Sequence, residues 1–484
     1  MICDHSSEVM NAPREAAFER FRRTGFPTKK VERYKYTDIP ALMAPDYGLN
    51  LQRLSIPVDP FNAFRCDVPN LSTALYFVVN DEFYRGERSS DIRGERREER
   101  GGRYADRPLS TAKLPEGVVI GSLRELSTPH SSEHFSLHSP LSSLHSNETT
   151  LHSNETTLHS PLSTLLPKYY NRLAGADGDA ITDLNTMLCQ DGLLVYVPRG
   201  VVVDKTIQVI NILRSDVDLM VNRRVLIVAE EGAEVKLLFC DHTADDRRFL
   251  ATQVIEVFAE ENARVDLYCM EETHAKNVRL SNVYVSQQRN SRVRHNVITL
   301  HNGITRNKLD LTLLGEGAEC ELGGCVIADK QQHVDNNTLI THQAAHCTSH
   351  QLYKYVLDGQ ATGAFAGRVL VAEGAQKTAS QMTNQNLCAS REARMLSQPM
   401  LEIYADDVRC AHGSTVGQLS DQALFYMRQR GIPEAEARML LQVAFIREVI
   451  DQIELTPLRD RLHYLVDKRF RGELSKCTGC RLCQ

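Results

Sequence analysis

Five short stretches share one pattern: AEEGAEVKLL (229–238), AEENARVDLY (259–268), QQRNSRVRHN (287–296), GEGAECEL (315–322) and AEGAQKTA (372–379). Each places glycine or asparagine at a corner, at Gly232, Asn262, Asn290, Gly317 and Gly374, with strand-like runs around it. The corners stand 30, 28, 27 and 57 residues apart, the last being about twice the others. Glycine and asparagine turn the backbone through left-handed conformations at little Cβ cost. A turn every ~28–30 residues, flanked by valine-, isoleucine- and leucine-rich strands, predicts a stacked β-solenoid. A β-sandwich is the alternative, but its turns recur every ~8–12 residues without this longer echo. The solenoid is assigned to 166–417.

Working outward, 418–471 switches to helical periodicity. Ser420 can N-cap a helix through ALFYMRQR that ends at Gly431 in the C′ position. Pro433 opens a second helix whose Met439, Val443, Ile446 and Ile450 share a face, and Pro457 starts a third with Leu458, Leu462 and Leu465. This module is expected to close one end of the solenoid, where an open rung would expose unpaired strand edges. Residues 1–84 read as a mixed, partly helical region. Ala16, Ala17, Phe18 and Phe21 form a short helical face, and LSTALYFVVND (71–81) has strand composition.

Residues 85–165 read as a low-complexity, disordered insertion. The mixed-charge run RGERSSDIRGERREERGGR is followed by a short apolar patch, LPEGVVIGSL (114–123). Four tandem heptapeptides begin at Leu137, Leu144, Leu151 and Leu158, too polar for a coiled coil. Their histidines (His138, His145, His152, His159) could bind a metal, but nothing else fixes their geometry. Residues 472–484 form a Cys-rich tail.

The 484 residues carry 56 basic and 62 acidic side chains, a net charge of −6, with 42% hydrophobic and 24% charged residues. That is globular composition without the basic excess of a nucleic-acid binder. No apolar run approaches the ~20 residues of a membrane span, and no signal-peptide pattern opens the chain, so the expected compartment is the cytoplasm. Phosphate-cradling GxxxxGK[ST], GxSxG, HExxH and dinucleotide fingerprints are all missing from the sequence. ATPase, hydrolase and dehydrogenase readings lose their support.

Three constellations could hold a metal. In Cys410-Ala411-His412-Gly413, after Asp406 and Asp407, an extended strand puts the thiol and the imidazole on one face. That is half a site for zinc, copper or iron; a packed thiol beside a satisfied histidine is the plainer alternative. In CTGCRLC (477–483), two C-x-x-C steps bring Cys477, Cys480 and Cys483 close to the spacing that nucleates iron–sulfur clusters. An exposed, oxidisable tail would look the same. The group His342, His346, Cys347 and His350 has helical spacing, but strand alternation would scatter it.

The strings GFPTKKVERYKYTDI (25–39), HQLYKYVLDGQATGAFAGRVLVAEGAQKTASQMTNQNL (350–387) and MLEIYADDVRCAHGSTVGQLSDQALFYMRQRGIPEAEARMLL (400–441) resemble the SufB/SufD family of iron–sulfur cluster assembly scaffolds. CAHG at 410–413 and the GFPT…YKYTD opening are similar to its SufD branch. The resemblance implies a right-handed parallel β-helix, mainly β, between an N-terminal helical region and a C-terminal helical domain. It further implies pairing with a SufB-like paralogue through the β-helix end, and docking of a SufC-type ATPase on the C-terminal helices, around Arg428, Arg430, Gly431 and Pro433. A nascent iron–sulfur cluster, transient and shared with the partner chain, would form at Cys410 and His412, and the tail could hold zinc or a cluster. In isolation a homodimer is expected. The insertion and the CTGCRLC tail depart from the family pattern. The non-catalytic scaffold competes with a β-helical polysaccharide-active enzyme, for which no paired-carboxylate groove stands out. It also competes with a metal- or redox-binding protein using the tail cysteines.

Overall fold

The computed structural model describes residues 2–54, 56–58, 60, 73–84, 114–126 and 165–473. Two ten-stranded sheets face each other, and the chain alternates between them from Leu193 to Gly417. Eight rungs result, each holding one strand of each sheet: rung 1 is Leu193–Val197 with Thr206–Leu213, and rung 8 is Arg394–Ile403 with Arg409–Gly417. Successive rungs pair in parallel and almost entirely in register. The β-solenoid expected from the corner spacing is observed, and its strands run parallel as the family resemblance implies.

Left-handed residues stand at the corner between the sheets: Gly200, Gly232, Asn262, Asn290, Gly317, His346 and Lys377. Each donates its N–H to a carbonyl in the corner of the following rung, as from Gly232 to Glu261 at 2.8 Å and from His346 to Gln376 at 2.9 Å. These bonds offset the roughly 1 kcal/mol or more that a side chain costs in this conformation. Gly374, expected to mark the last corner, does not take a positive φ; Lys377 does. The corner hidden in the 57-residue gap is His346.

Inside, valine, leucine and isoleucine of both sheets form a continuous apolar core on the side of these corners. The two ends differ. At rung 1, Thr73–Val79 adds a parallel strand to Thr206–Leu213, turns at Asn80 (φ 55°) and pairs back with Glu82–Tyr84. Val119–Ser122 covers Leu193–Val197 in antiparallel pairing. This corrects the reading of 85–165 as disordered throughout: within it, 114–126 is folded, because LPEGVVIGSL covers an edge that would otherwise stay open. The heptapeptides lie outside the described residues.

Among the described residues, neither sheet continues beyond rung 8. The C-terminal helices do not close this end, contrary to expectation. Glu434–Asp451 and Thr456–Phe470 lie across the outer face of the second sheet, where Ile446, Val449, Ile450, Leu458, Leu462 and Leu465 meet outward residues such as Ile212, Leu238, Ile298 and Ile327. Arg294–Glu454 at 2.7 Å, Lys354 to Glu448, and Arg469 to the Leu300 carbonyl at 2.7 Å fix the arrangement.

The N-terminal helix Arg14–Thr24 packs on Ala180–Leu188. The buried Arg14 guanidinium caps that helix through the carbonyls of Thr186 (3.1 Å) and Met187 (2.5 Å), and it also reaches that of Cys189 (2.6 Å). The following segment crosses the outer face of the first sheet, rooted where Tyr34 lies under Arg306 (3.9 Å) and donates to Asp179 at 2.6 Å.

Candidate functional site at the open end

Among the described residues, the last strand, Arg409–Gly417, is paired on one edge only. In register, Cys410 lies beside Ser380 and His412 beside Met382, residues 5% and 0% exposed. Both neighbours face the lumen, so strand alternation turns Cys410 and His412 inward too. Cys410 packs against the apolar core and is half-buried, while His412 is exposed, no ninth rung covering it among the described residues. The same-face reading of C-x-H is borne out geometrically, and the face is the mouth of the lumen.

Following the Cys410 column down the helix gives Ser380, Ser349, Cys320, Val293, Val265 and Val235. The lumen thus changes from valine to hydroxyl and thiol groups toward the open end. Ser349 donates to Ser380 at 2.8 Å and lies 2.9 Å from His342 Nε2; burial holds His342 down to about 4, so it is neutral at pH 7. Nearer the mouth, Ser397 donates to Asn384 at 2.7 Å and lies 2.6 Å from Ser414. Sequence reasoning missed this polar lining, although its residues recur at the same spacing as the corners.

Burial pushes the Cys269 and Cys325 thiols up to about 12, which makes them poor ligands and nucleophiles. Cys410 is also raised by partial burial, with a Ser380 backbone hydrogen bond pulling the other way. Half-buried, it borders a groove of about 470 Å³ that Glu319, Glu321, His350, Gln381 and Arg409 also line. Among the described residues no group of three or more His, Cys, Asp or Glu is placed to hold a metal ion. Cys410 and His412 therefore supply two donors, a thiol and an imidazole, at an end that another chain could complete. Asp407 is engaged with Lys377.

The other candidates divide. His342 is buried on Ser349, His346 turns a corner 3.8 Å from Glu316, Cys347 donates to the Gly315 carbonyl at 3.3 Å, and His350 faces the outer groove. That group is scattered. Helix Asp421–Gln429 is N-capped by Ser420 and followed by Gly431 at φ 83°. It buries Leu424 but leaves Phe425 and Tyr426 62% and 56% exposed. Arg430 stacks on Tyr426 at 4.5 Å, and Arg428 stands 3.5 Å from Glu434, next to Pro433. Cys477, Cys480 and Cys483 lie outside the described residues.

Residues 212–445 match the family model described as SUF system FeS cluster assembly, SufBD core domain, and 1–94 with 154–209 match the SufBD protein N-terminal region. An iron–sulfur cluster assembly SufBD family protein of Synechocystis is 31% identical over 310 residues, 60% of this chain and 67% of that one. SufD of Escherichia coli is 33% identical over 173 residues, 36% of this chain and 41% of that one. SufD of Bacillus subtilis is 24% identical over 316 residues, 64% and 71% of the two chains. The N-terminal family match is interrupted at 95–153, within the segment read as an insertion.

Proposed function

The chain belongs to the SufBD family of iron–sulfur cluster assembly proteins, and on that premise we propose that it is a non-catalytic scaffold subunit whose open rung pairs with a SufB-like paralogue. One observation carries the reading: among the described residues the β-helix is covered at rung 1 and bare at rung 8, where Cys410 and His412 face the lumen. The bare strands Arg394–Ile403 and Arg409–Gly417 offer unpaired N–H and C=O groups, and Leu396, Ile403, Tyr404 and Val416 are exposed there. A partner strand would satisfy the backbone groups and bury the side chains. The partner's own donors would complete the half site, so a nascent cluster, the cargo of the complex, is held between chains and released by their separation. A second copy of this chain would use the same edge, giving a homodimer when the paralogue is missing.

The exposed Phe425, Tyr426, Arg428 and Arg430, with the turn Gly431–Pro433, are the proposed docking surface for a SufC-type ATPase. Cation-bearing aromatic surface of this kind suits a protein interface. The tail thiols are proposed to hold zinc or a cluster weakly, three ligands leaving a fourth position open. No described helix is long and apolar enough to cross a membrane, and a cytoplasmic site of action is part of the proposal.

Purification of the tagged full chain from native extract is the test. Co-elution of a β-helical paralogue and an ABC-type ATPase is expected. Elution with neither, at physiological salt and under anaerobic conditions, would sink the scaffold reading.

A further inference from the structure

The string VERYKYTDI belongs to the motif that carries the family resemblance, yet none of its residues enters the site. Glu32–Thr37 instead crosses the outside of the first sheet from rung 5 to rung 8. Arg33 forks onto Asp310 of rung 5 at 2.9 and 2.5 Å and reaches Asn337 of rung 6 at 2.9 Å. Thr37 donates to Asp335 of rung 6 at 2.6 Å. Glu32 pairs with Arg368 of rung 7 at 3.0 Å, and Arg368 stands 3.4 Å from Glu402 of rung 8. Tyr36 spans furthest, donating from its hydroxyl to Gln398 Oε1 of rung 8 at 2.7 Å.

Gln398 and Glu402 lie on Arg394–Ile403, the strand of the bare rung that belongs to the first sheet. Among the described residues that strand has a ladder neighbour on one edge and none on the other. Terminal rungs of stacked repeats are stabilised from one side only, so they open locally before the rest. We infer that Glu32–Thr37 is a tether that holds the first strand of the open rung in register before a partner arrives. The inference deepens the proposed pairing and rests on it for its purpose. The geometry supplies the mechanism. Arg33 and Thr37 are fixed on rungs 5 and 6, where both neighbouring strands are present, and Tyr36 and Glu32 carry that rigidity outward to an edge that lacks one. A pre-ordered edge spares the partner the entropy of ordering it. By linkage, a partner on rung 8 must also favour the docked tether.

Tyr36→Phe removes one hydroxyl and keeps the ring. In the full-length chain without partner, hydrogen–deuterium exchange of fragments covering 394–403 should accelerate on the order of tenfold. Exchange in 333–342, two strands further in, should stay unchanged. Gln398→Leu, which breaks the same bond from the other side, should give the same pattern and covers the case of a poorly folding Tyr36 variant. Unchanged exchange in 394–403 for both variants overturns the tether. So does acceleration spread equally over all rungs, which would make the segment a general stabiliser. Because the measurement needs no partner, it separates from the pairing itself: a failed tether in a chain that still captures a paralogue leaves the scaffold reading standing.

Discussion

The Ser122 hydroxyl donates to the Asp191 carboxylate at 2.7 Å, a contact that, alongside the antiparallel pairing of Val119–Ser122 with Leu193–Val197, binds the folded part of the insertion to the start of the β-helix. Asp191 also accepts the backbone N–H groups of Phe83 (3.4 Å), Arg124 (3.2 Å) and Gly192 (2.8 Å), with Arg53 at 3.8 Å. A single buried carboxylate thus organises the hairpin, the antiparallel strand and the first rung. Asp191→Ala leaves several buried donors unpaired, so a loss of about 3 kcal/mol is expected. Urea denaturation of the full chain checks it, and a midpoint within error of the wild type would contradict this organising role.

The same contact separates two deletions. Removing 131–160, which spans most of the heptapeptides, should leave yield and thermal midpoint unchanged. Removing 90–160 also takes Val119–Ser122 and bares the edge of Leu193–Val197, and an uncovered edge promotes aggregation. Size-exclusion profiles of the two deletions should therefore differ, with the longer one eluting in the void volume.

Glu271 lies in the lumen, 3.9 Å from Arg279, accepting from Thr305 at 2.8 Å and Thr273 at 3.2 Å. Burial outweighs these partners and pushes it up to about 7 from the ordinary 4.5. The folded state therefore binds the proton more tightly than the unfolded chain. This contribution is fully present below pH ~4.5 and is lost as pH rises toward 7, at most about 3 kcal/mol. His295, which burial and Arg279 hold down to about 4, acts with the opposite sign below pH ~6.5. Glu271→Gln should flatten the decline between pH 5 and 7 and raise stability at pH 8. Denaturant midpoints at the three pH values test it; parallel wild-type and variant curves would mean that Glu271 does not titrate in this window.

Much of this architecture was legible in the sequence because a left-handed corner favours few residue types. Gly232, Asn262, Asn290 and Gly317 announce it. His346 and Lys377 take the same backbone conformation, held by bonds to the next rung, and their side chains give no hint of it. Helical periodicity located the apolar faces of 434–451 and 456–470 but not what they bury against, since an end rung and a sheet face offer the same kind of surface. Val119–Ser122 pairs with a strand about 70 residues away, and its apolar patch stands between a mixed-charge run and the polar repeats with nothing local to mark the pairing. At the site, C-x-H was visible as a pair on one face. The Ser349–Ser380 chain beneath it becomes visible only once the rungs are stacked.

The exposed helix Asp421–Gln429 gives a surface prediction. Arg428→Glu together with Arg430→Glu removes the Arg430–Tyr426 stacking and the Arg428–Glu434 pair, both solvent-exposed, so stability should change by no more than about 0.5 kcal/mol. ATPase co-elution should drop while paralogue co-elution persists. Retention of the ATPase at wild-type stoichiometry would move its docking surface elsewhere.

His412 and Met382 are register neighbours on the last two strands, and they should respond to truncation in opposite ways. Met382 is fully buried, so Met382→Ala should cost about 2–5 kcal/mol through the cavity it leaves. His412 is exposed, and its loss should move stability by about 0.5 kcal/mol or less. If His412 is one of the donors completed by a partner chain, anaerobic cluster reconstitution on the assembled complex should nevertheless fall roughly tenfold or more, as loss of a metal-site group commonly does. Cys410→Ser should share that defect, since the two side chains face one mouth. The pair of readouts separates ligand from packing. A His412→Ala complex that assembles its cluster at the wild-type rate, alongside an intact fold, would remove the imidazole from the site and leave Cys410 as its one donor from this chain.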